Sequence, residues 1–319
     1  MLPGNYLVAG STGLMGTTAL LRLKDQPNIN VKAVYHNRKP TIFADNIEYI
    51  KADLKDLNNC KNVVKDIDYV LMFAAILSTA PMVARDPVSH VTETMIMNSQ
   101  MLEAAYFEKI KKFIWLSSST GYPMKDDILT EKDMFKGNPP DKYFSVGWMS
   151  RYTETLCRMF STKLKEPIPI VIFRPTTIYG EYESFDFKKS HVLPALVRKV
   201  VEKQKPIVVW GNGEKRRDLI YSDDVFDAII LAMEKIKKYD VFNVGFGKDY
   251  SINEILKTIL DLDDFKDAEI IFDKTKPTSI DKRTIDFSKI KKELSFKPKT
   301  TLKDGITKMI NWYRQHPIK

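Results

Sequence analysis

The stretch Y-L-V-A-G-S-T-G-L-M-G-T-T-A-L-L, residues 6–21, constrains this chain more than any other. Four apolar, strand-prone residues run straight into glycines at Gly10, Gly13 and Gly16, and then into a helix-forming apolar segment. A strand that turns at once into a helix needs a residue without a side chain at the turn, and Gly10 supplies it. Gly13 lets backbone N–H groups approach an anion at the amino end of the helix, where the helix dipole favours negative charge. Gly16 lets the helix lie close to the sheet. The turn formed by Gly10, Ser11, Thr12, Gly13, Leu14, Met15 and Gly16 is therefore expected to hold a dinucleotide pyrophosphate.

The rest of the first half repeats the same alternation. Strands are expected at 6–9, 31–35, 48–51, 69–74, 112–117 and 168–174, and helices at 13–24, 57–65, 89–109 and 147–165. The strands are apolar throughout rather than alternating, as parallel strands covered on both faces are. An α/β fold follows, a Rossmann-like doubly wound parallel sheet. After Arg174-Pro175 the rhythm becomes loop-rich, with a helix expected at 192–204. This predicts a dinucleotide-binding domain at 1–175 and a smaller C-terminal lobe built from 176–218 and 246–319, with 219–245 returning to the first domain through strands at 219–223 and 241–244.

Composition excludes several classes of function. With 319 residues, 44% hydrophobic and 29% charged, the chain reads as an ordinary globular protein, and no apolar run is long enough to cross a bilayer. A strand expected from residue 6 leaves no room for a cleavable leader, and Cys60 and Cys157 fall in different elements, so a cytoplasmic location without a disulfide framework is the expectation. The formal charge of +9 comes from lysines in short amphipathic runs, which read as solvated helix faces; no nucleic-acid-binding module accompanies them. His36, His90 and His316 are too scattered for a metal site. A basic surface does suit an anionic small substrate.

The spacing Gly-x-x-Gly-x-x-Gly resembles that of the short-chain dehydrogenase/reductase superfamily, in its extended, nucleotide-sugar-modifying branch. Further stretches match that branch in order along nearly the whole chain. A-D-L at 52–54 is similar to the pair beside the adenine, which implies contacts from Asp53 and Leu54. F-A-A at 73–75 is similar to the loop under the cofactor, which implies Ala74 and Ala75, and Asn98 matches the asparagine of the central helix. F-R-P-T-T-I-Y-G at 173–180 would bring Pro175 to the cofactor; W-G-N-G-E-K-R-R-D at 210–218 and F-N-V-G at 242–245 follow. Within the branch, S-H-V-L-P-A-L at 190–196, together with W-G-N-G and Arg217, is most similar to the GDP-L-fucose synthases, which are NADPH-dependent epimerases and reductases. The resemblance implies a nucleotide-diphosphate sugar as substrate and a homodimer paired through the helices at 89–109 and 147–165.

At the end of the second strand, an acid would bind the adenosine ribose and repel a 2′-phosphate. The chain reads Y-H-N-R-K at 35–39, with no carboxylate before Asp45. Asn37 and Arg38 stand there instead, and Arg38, beside His36 and Lys39, can pair with the phosphate of NADP. NADP(H) is favoured, with NAD(H) the alternative.

I-W-L-S-S-S-T-G-Y-P at 114–123 places serines at the carboxyl end of a strand, above the cofactor crevice. Four residues before Tyr122, Ser118 matches the branch's catalytic serine. Where the branch's dehydratases carry an acidic pair, this chain has Ser119 and Thr120, which argues against dehydration. The branch also uses a tyrosine for proton transfer, with a lysine four residues on that lowers its pKa and binds ribose hydroxyls. Counting from Pro139, the tyrosine is Tyr143 and the lysine position is Gly147. Counting back from R-Y-T-E-T-L-C, those positions are Val146 and Ser150. Tyr143 and Ser150 are seven residues apart and share one face if Tyr143 is helical. Ser150 can then bond a ribose hydroxyl, while Lys142 or Arg151 remain the nearby sources of charge.

On the substrate side, His191 matches the histidine that acts as acid/base during epimerisation in GDP-L-fucose synthases. The partner cysteine of those enzymes aligns with Thr120, a far poorer base, which disfavours a double epimerisation. Lys199 and Arg217 match positions holding the diphosphate, and Trp210 would line the sugar or base pocket. The leading expectation is an NADP(H)-dependent epimerase/reductase of a GDP-linked 4-keto sugar. A C4-epimerase with tightly bound NAD is a second reading, and a catalytically decayed dinucleotide-binding sensor or assembly protein is a third.

Overall fold

The computed structural model describes residues 1–76, 86, 88–125, 127–276 and 283–318. Strand and helix alternate through the first part: β1 (Gly4–Ala9), α1 (Leu14–Leu23), β2 (Ile29–Tyr35), β3 (Ile47–Lys51), α2 (Leu57–Val64), β4 (Tyr69–Met72), α3 (Ser89–Phe107), β5 (Lys112–Leu116), α4 (Phe144–Thr162) and β6 (Ile170–Pro175). The second part comprises β7 (Thr177–Tyr179), α5 (Val192–Val201), β8 (Ile207–Trp210), β9 (Arg216–Tyr221), α6 (Ser222–Lys235), β10 (Asp240–Val244), β11 (Asp249–Ser251), α7 (Ile252–Leu262), β12 (Ile270–Asp273), α8 (Ser288–Leu294) and α9 (Leu302–Gln315).

Seven strands form the main sheet in the order β10-β6-β5-β4-β1-β2-β3, and every neighbouring pair is parallel. The burial of alternate residues explains why helices cover both faces. β1 sends Tyr6 and Val8 into one apolar core and Leu7 and Ala9 into the other; β4 divides Tyr69 and Leu71 from Val70 and Met72, and β6 divides Val171 and Phe173 from Ile170 and Ile172. The first core is closed by α1, α6 and α8, the second by α2, α3 and α4. The chain is a Rossmann-like doubly wound fold, as the apolar strands predicted. A third core gathers residues of α5, α7 and α9 under the short sheets β11-β9-β7 and β12-β8.

Two details depart from the sequence expectation. Residues 241–244 do reach the edge of the main sheet, beside β6. Residues 219–223 do not: Leu219–Tyr221 pair with β7 in the three-stranded sheet, whose β11 pairs with Arg216–Asp218, and Ser222 opens α6. Neighbouring side chains of β9 belong to different cores, with Ile220 in the first and Leu219 and Tyr221 in the third, so the strand is held between them. The helix expected from 147 begins three residues earlier, after a 3₁₀ turn at Asp141–Tyr143. Glycine lowers helix propensity, but Gly147 is fixed by tertiary packing: a Cβ there would lie 2.6 Å from Pro139 Cβ and 3.1 Å from Thr120 O.

Cys60 and Cys157 are buried free thiols. Among the described residues, no helix is long and apolar enough to cross a membrane.

Candidate active site

The glycine turn is built as a backbone cradle. Gly10 has φ +79°, and a Cβ on it would fall 2.7 Å from Ala74 N; a Cβ on Gly16 would fall 2.1 Å from Gly10 O. These two glycines are demanded by the protein's own backbone. Gly13 differs: a Cβ there would meet nothing nearer than Gly10 O at 3.5 Å, so the space beyond it is open. Gly13 is also the N-cap of α1 and contributes no capping side chain, which leaves first-turn amides available to an anion. Ser11 Oγ and both amide atoms of Asn98, a residue only 2% exposed, are buried with no protein partner. An open cradle and orphaned buried polar groups fit a dinucleotide.

At the rim of the cradle, Arg38 Nη1 donates to Thr12 O at 2.9 Å, so the arginine that follows β2 reaches back to the glycine turn. Asn37 is exposed beside it. Asp53 lies 3.7 Å from Lys55 Nζ and 4.0 Å from His36 Nε2, and Leu54 is buried. Ala74 packs under Gly10, Ala75 follows it in the same loop, and Pro175 closes β6.

The serine turn lies at the carboxyl end of β5. Ser118 Oγ accepts from Thr120 N at 3.1 Å and from Thr120 Oγ1 at 2.8 Å, which leaves its own proton available to donate outward. Arginines hold the carbonyls of this turn. Arg151 Nε donates to Gly121 O at 2.8 Å; Arg283 donates to Ser119 O and, at 3.2 Å, to Tyr122 O. Beneath it, Ser117 Oγ donates to Glu154 Oε1 at 2.6 Å, and Arg174 donates to both carboxylate oxygens of Glu154, to Tyr122 OH and to Glu131 O. Glu154 and Arg174 are each 2% exposed or less. Burial pushes the Tyr122 phenol up to about 12, so it stays protonated and donates to Asn243 Oδ1 at 2.6 Å.

Tyr143 is the N-cap of α4, at the end of the 3₁₀ turn, and its ring centroid lies 6.0 Å from the Arg283 guanidinium carbon. Ser150 faces inward, buried, with its hydroxyl bonded to Val146 O at 3.0 Å. Arg217 is in electrostatic range of Tyr143 and Arg283, and burial lowers its pKa. Lys199 Nζ bonds Val208 O at 2.6 Å, and Trp210 is 41% exposed at the end of β8. His191, the N-cap of α5, pairs with Glu183 Oε1 at 2.7 Å. Burial pulls its pKa down, but the Glu183 carboxylate outweighs that and the net direction is up. The structure thus brings Ser118, Thr120, Tyr143 and Arg217 to one region and gives His191 a carboxylate partner. Glu183 and Arg283 were not among the sequence candidates. Glu183 had a faint signal, an acid eight residues before His191; Arg283 had none, because it follows a lysine-rich stretch of sequence without a motif.

A profile of the NAD dependent epimerase/dehydratase family matches residues 6–245, three-quarters of the chain. The chain belongs to this family. Among its relatives, a putative GDP-L-fucose synthase 2 of Arabidopsis thaliana is 26% identical over 319 residues, covering 98% of this chain and 92% of the relative. The GDP-L-colitose synthase of Yersinia pseudotuberculosis is 28% identical over 252 residues, covering 77% and 81%. Among solved structures, a UDP-glucuronic acid 4-epimerase from Bacillus cereus, in complex with UDP-glucuronic acid and NAD, is similar with a TM-score of 0.84 at 26% identity, covering 98% of this chain and 99% of the other. Family membership makes a nicotinamide dinucleotide the cofactor class and a nucleotide-sugar epimerase or reductase the enzyme class. Within the family pattern, the departure is on α4, where Gly147 and Ser150 stand at the two candidate lysine positions.

Proposed function

We propose that this family member is an NADP(H)-dependent epimerase/reductase of a GDP-linked 4-keto sugar. The observation that carries the reading is the serine turn: Ser118, with both hydroxyl lone pairs filled by Thr120, sits at the carboxyl end of β5 among Tyr143, Arg217 and Arg283. Ser118 and Tyr143 donate hydrogen bonds to the sugar's carbonyl oxygen, and Tyr143 delivers a proton to it. A bound nicotinamide supplies the hydride. His191, oriented by Glu183, exchanges a proton at the carbon beside the carbonyl, whose carbanion is delocalised onto oxygen. Thr120 serves Ser118 and is not a base, which favours a single epimerisation or none. Arg217 and Lys199 attract the diphosphate, and Trp210 lines the sugar or base pocket.

The GDP-sugar assignment leans on relatives named as GDP-L-fucose and GDP-L-colitose synthases. NADP(H) is supported by Arg38 at the glycine turn and by the lack of an acid at the end of β2. Nucleotide released from denatured protein identifies the cofactor. NADPH absorbance, followed across a panel of 4-keto GDP- and UDP-sugars, tests reduction. Consumption with GDP-linked ketones is expected. Bound NAD with interconversion of UDP-sugars would instead establish the C4-epimerase, which the UDP-sugar epimerases among the structural neighbours favour. Cofactor uptake with silence across the panel would establish the sensor that Gly147 and Ser150 suggest.

A further inference from the structure

We propose that Arg283 supplies the positive charge missing from Gly147 and Ser150, the two candidate lysine positions of α4, acting as a positioning residue for Tyr143. The inference rests on the reading of Tyr143 as proton donor. As the ketone is reduced, the Tyr143 O–H bond breaks, an O–H bond forms on the sugar, and the carbonyl carbon takes hydride from the reduced nicotinamide. Negative charge is left on the phenol oxygen, and a fixed cation beside it stabilises the transition state because it needs no reorganisation.

Geometry singles out Arg283 among the neighbouring cations. Its two terminal nitrogens bond Ser119 O and Tyr122 O, so the guanidinium is pinned against the turn that carries Ser118, with its carbon 6.0 Å from the Tyr143 ring centroid. That is within the range at which a cation is felt by an aromatic ring. Its Nε is buried without a protein partner. Burial lowers Arg283 to about 10, which still leaves it charged near neutrality. Arg151, next to Ser150 in sequence, is turned elsewhere: it bonds Gly121 O and lies over Trp148 at 4.9 Å and Phe135 at 5.8 Å. Arg174 is locked to Glu154, and Lys142 is exposed. Arg217 is the second cation in electrostatic range of Tyr143. Arg283 lies 140 residues beyond Tyr143 and reaches it only through the fold.

Arg283→Gln and Arg283→Lys separate this role from phosphate binding. With a sugar from the panel, Arg283→Gln is expected to lower kcat about tenfold or more while KM for the nucleotide sugar changes little. Arg283→Lys, or millimolar guanidinium added to Arg283→Gln, should recover part of the loss. A change confined to KM would assign Arg283 to the substrate's phosphates and overturn the proposal. A second readout needs no substrate. Tetranitromethane nitrates phenolate, so the rate of Tyr143 nitration at fixed pH, followed by peptide mass spectrometry, should fall severalfold in Arg283→Gln and partly recover in Arg283→Lys. An unchanged rate in folded protein that still binds NADPH overturns the proposal, whether or not any sugar is consumed. A slower rate in a protein that turns over no sugar upholds the charge at Tyr143 and refutes the proposed function alone.

Discussion

Adding one methyl group at Gly13 or at Gly16 should have opposite consequences, although only three residues separate them. At Gly16 the new Cβ would lie 2.1 Å from Gly10 O, 2.6 Å from Ser11 Cα and 2.8 Å from Gly10 C, all of them backbone atoms. Side-chain rotation cannot relieve such contacts, so helix α1 must move away from β1 by roughly 1 Å, disturbing a core that is close-packed. Overpacking of this kind costs about 3 kcal/mol. At Gly13 the backbone is at φ −86° and ψ 175°, which alanine adopts freely, and the new Cβ has 3.5 Å of clearance. The poorer N-cap preference of alanine, up to about 1 kcal/mol, is offset by the reduced entropy of the unfolded chain, so stability should change by less than about 1 kcal/mol. The same methyl, however, would enter the open space expected to take the pyrophosphate. NADPH affinity of Gly13→Ala should therefore fall by about tenfold or more, equivalent to about 1.4 kcal/mol. Denaturant unfolding and isothermal calorimetry on both variants read the two quantities separately. Unimpaired NADPH binding by Gly13→Ala would refute the placement of the pyrophosphate. Unchanged unfolding of Gly16→Ala would refute the claim that the turn and helix cannot part.

The remaining predictions concern buried charge. Glu154→Gln removes the countercharge of Arg174 in a nearly solvent-free site and should cost about 3–5 kcal/mol in denaturant unfolding, whereas an apolar replacement of both residues should recover much of the loss. The His191 pKa is raised in the fold, so its pairing with Glu183 stabilises most below the unfolded histidine value and fades as pH rises through the folded one. Ring titration by NMR should show the His191 midpoint moving down in Glu183→Gln, and an unmoved midpoint would contradict the pairing. Lys112, buried in β5 with its ammonium on Ala232 O and Met233 O, is lowered to about 8, chiefly by burial. Between pH 8 and its ordinary value of 10.5 the unfolded chain binds more protons, so stability should rise with pH across that window, and Lys112→Met should flatten the rise.

The local geometry of the candidate site was readable because its signals are short-ranged. The glycine turn, the apolar strands and the serines at 117–119 are each set by spacing within a few residues, and backbone sterics and side-chain periodicity act at that range. The place of Tyr143, as N-cap of α4 facing Arg283, was readable only as one of two registers. The environment of Ser150, bonded to Val146 O rather than open, was not readable at all.

Local pattern by itself determined that a strand must turn on Gly10 into a helix, that the sheet is covered on both faces, and that no acid guards the end of β2. Only the tertiary structure decided which glycines the backbone itself requires, that Gly147 sits inside α4 against Pro139, that β9 lies between two cores, and that Arg283 meets the serine turn 161 residues away at Tyr122. The reason is physical. Propensity and periodicity are properties of neighbouring residues, whereas the partner of a buried charge is chosen by whichever distant segment the packed topology brings within a few ångströms of it.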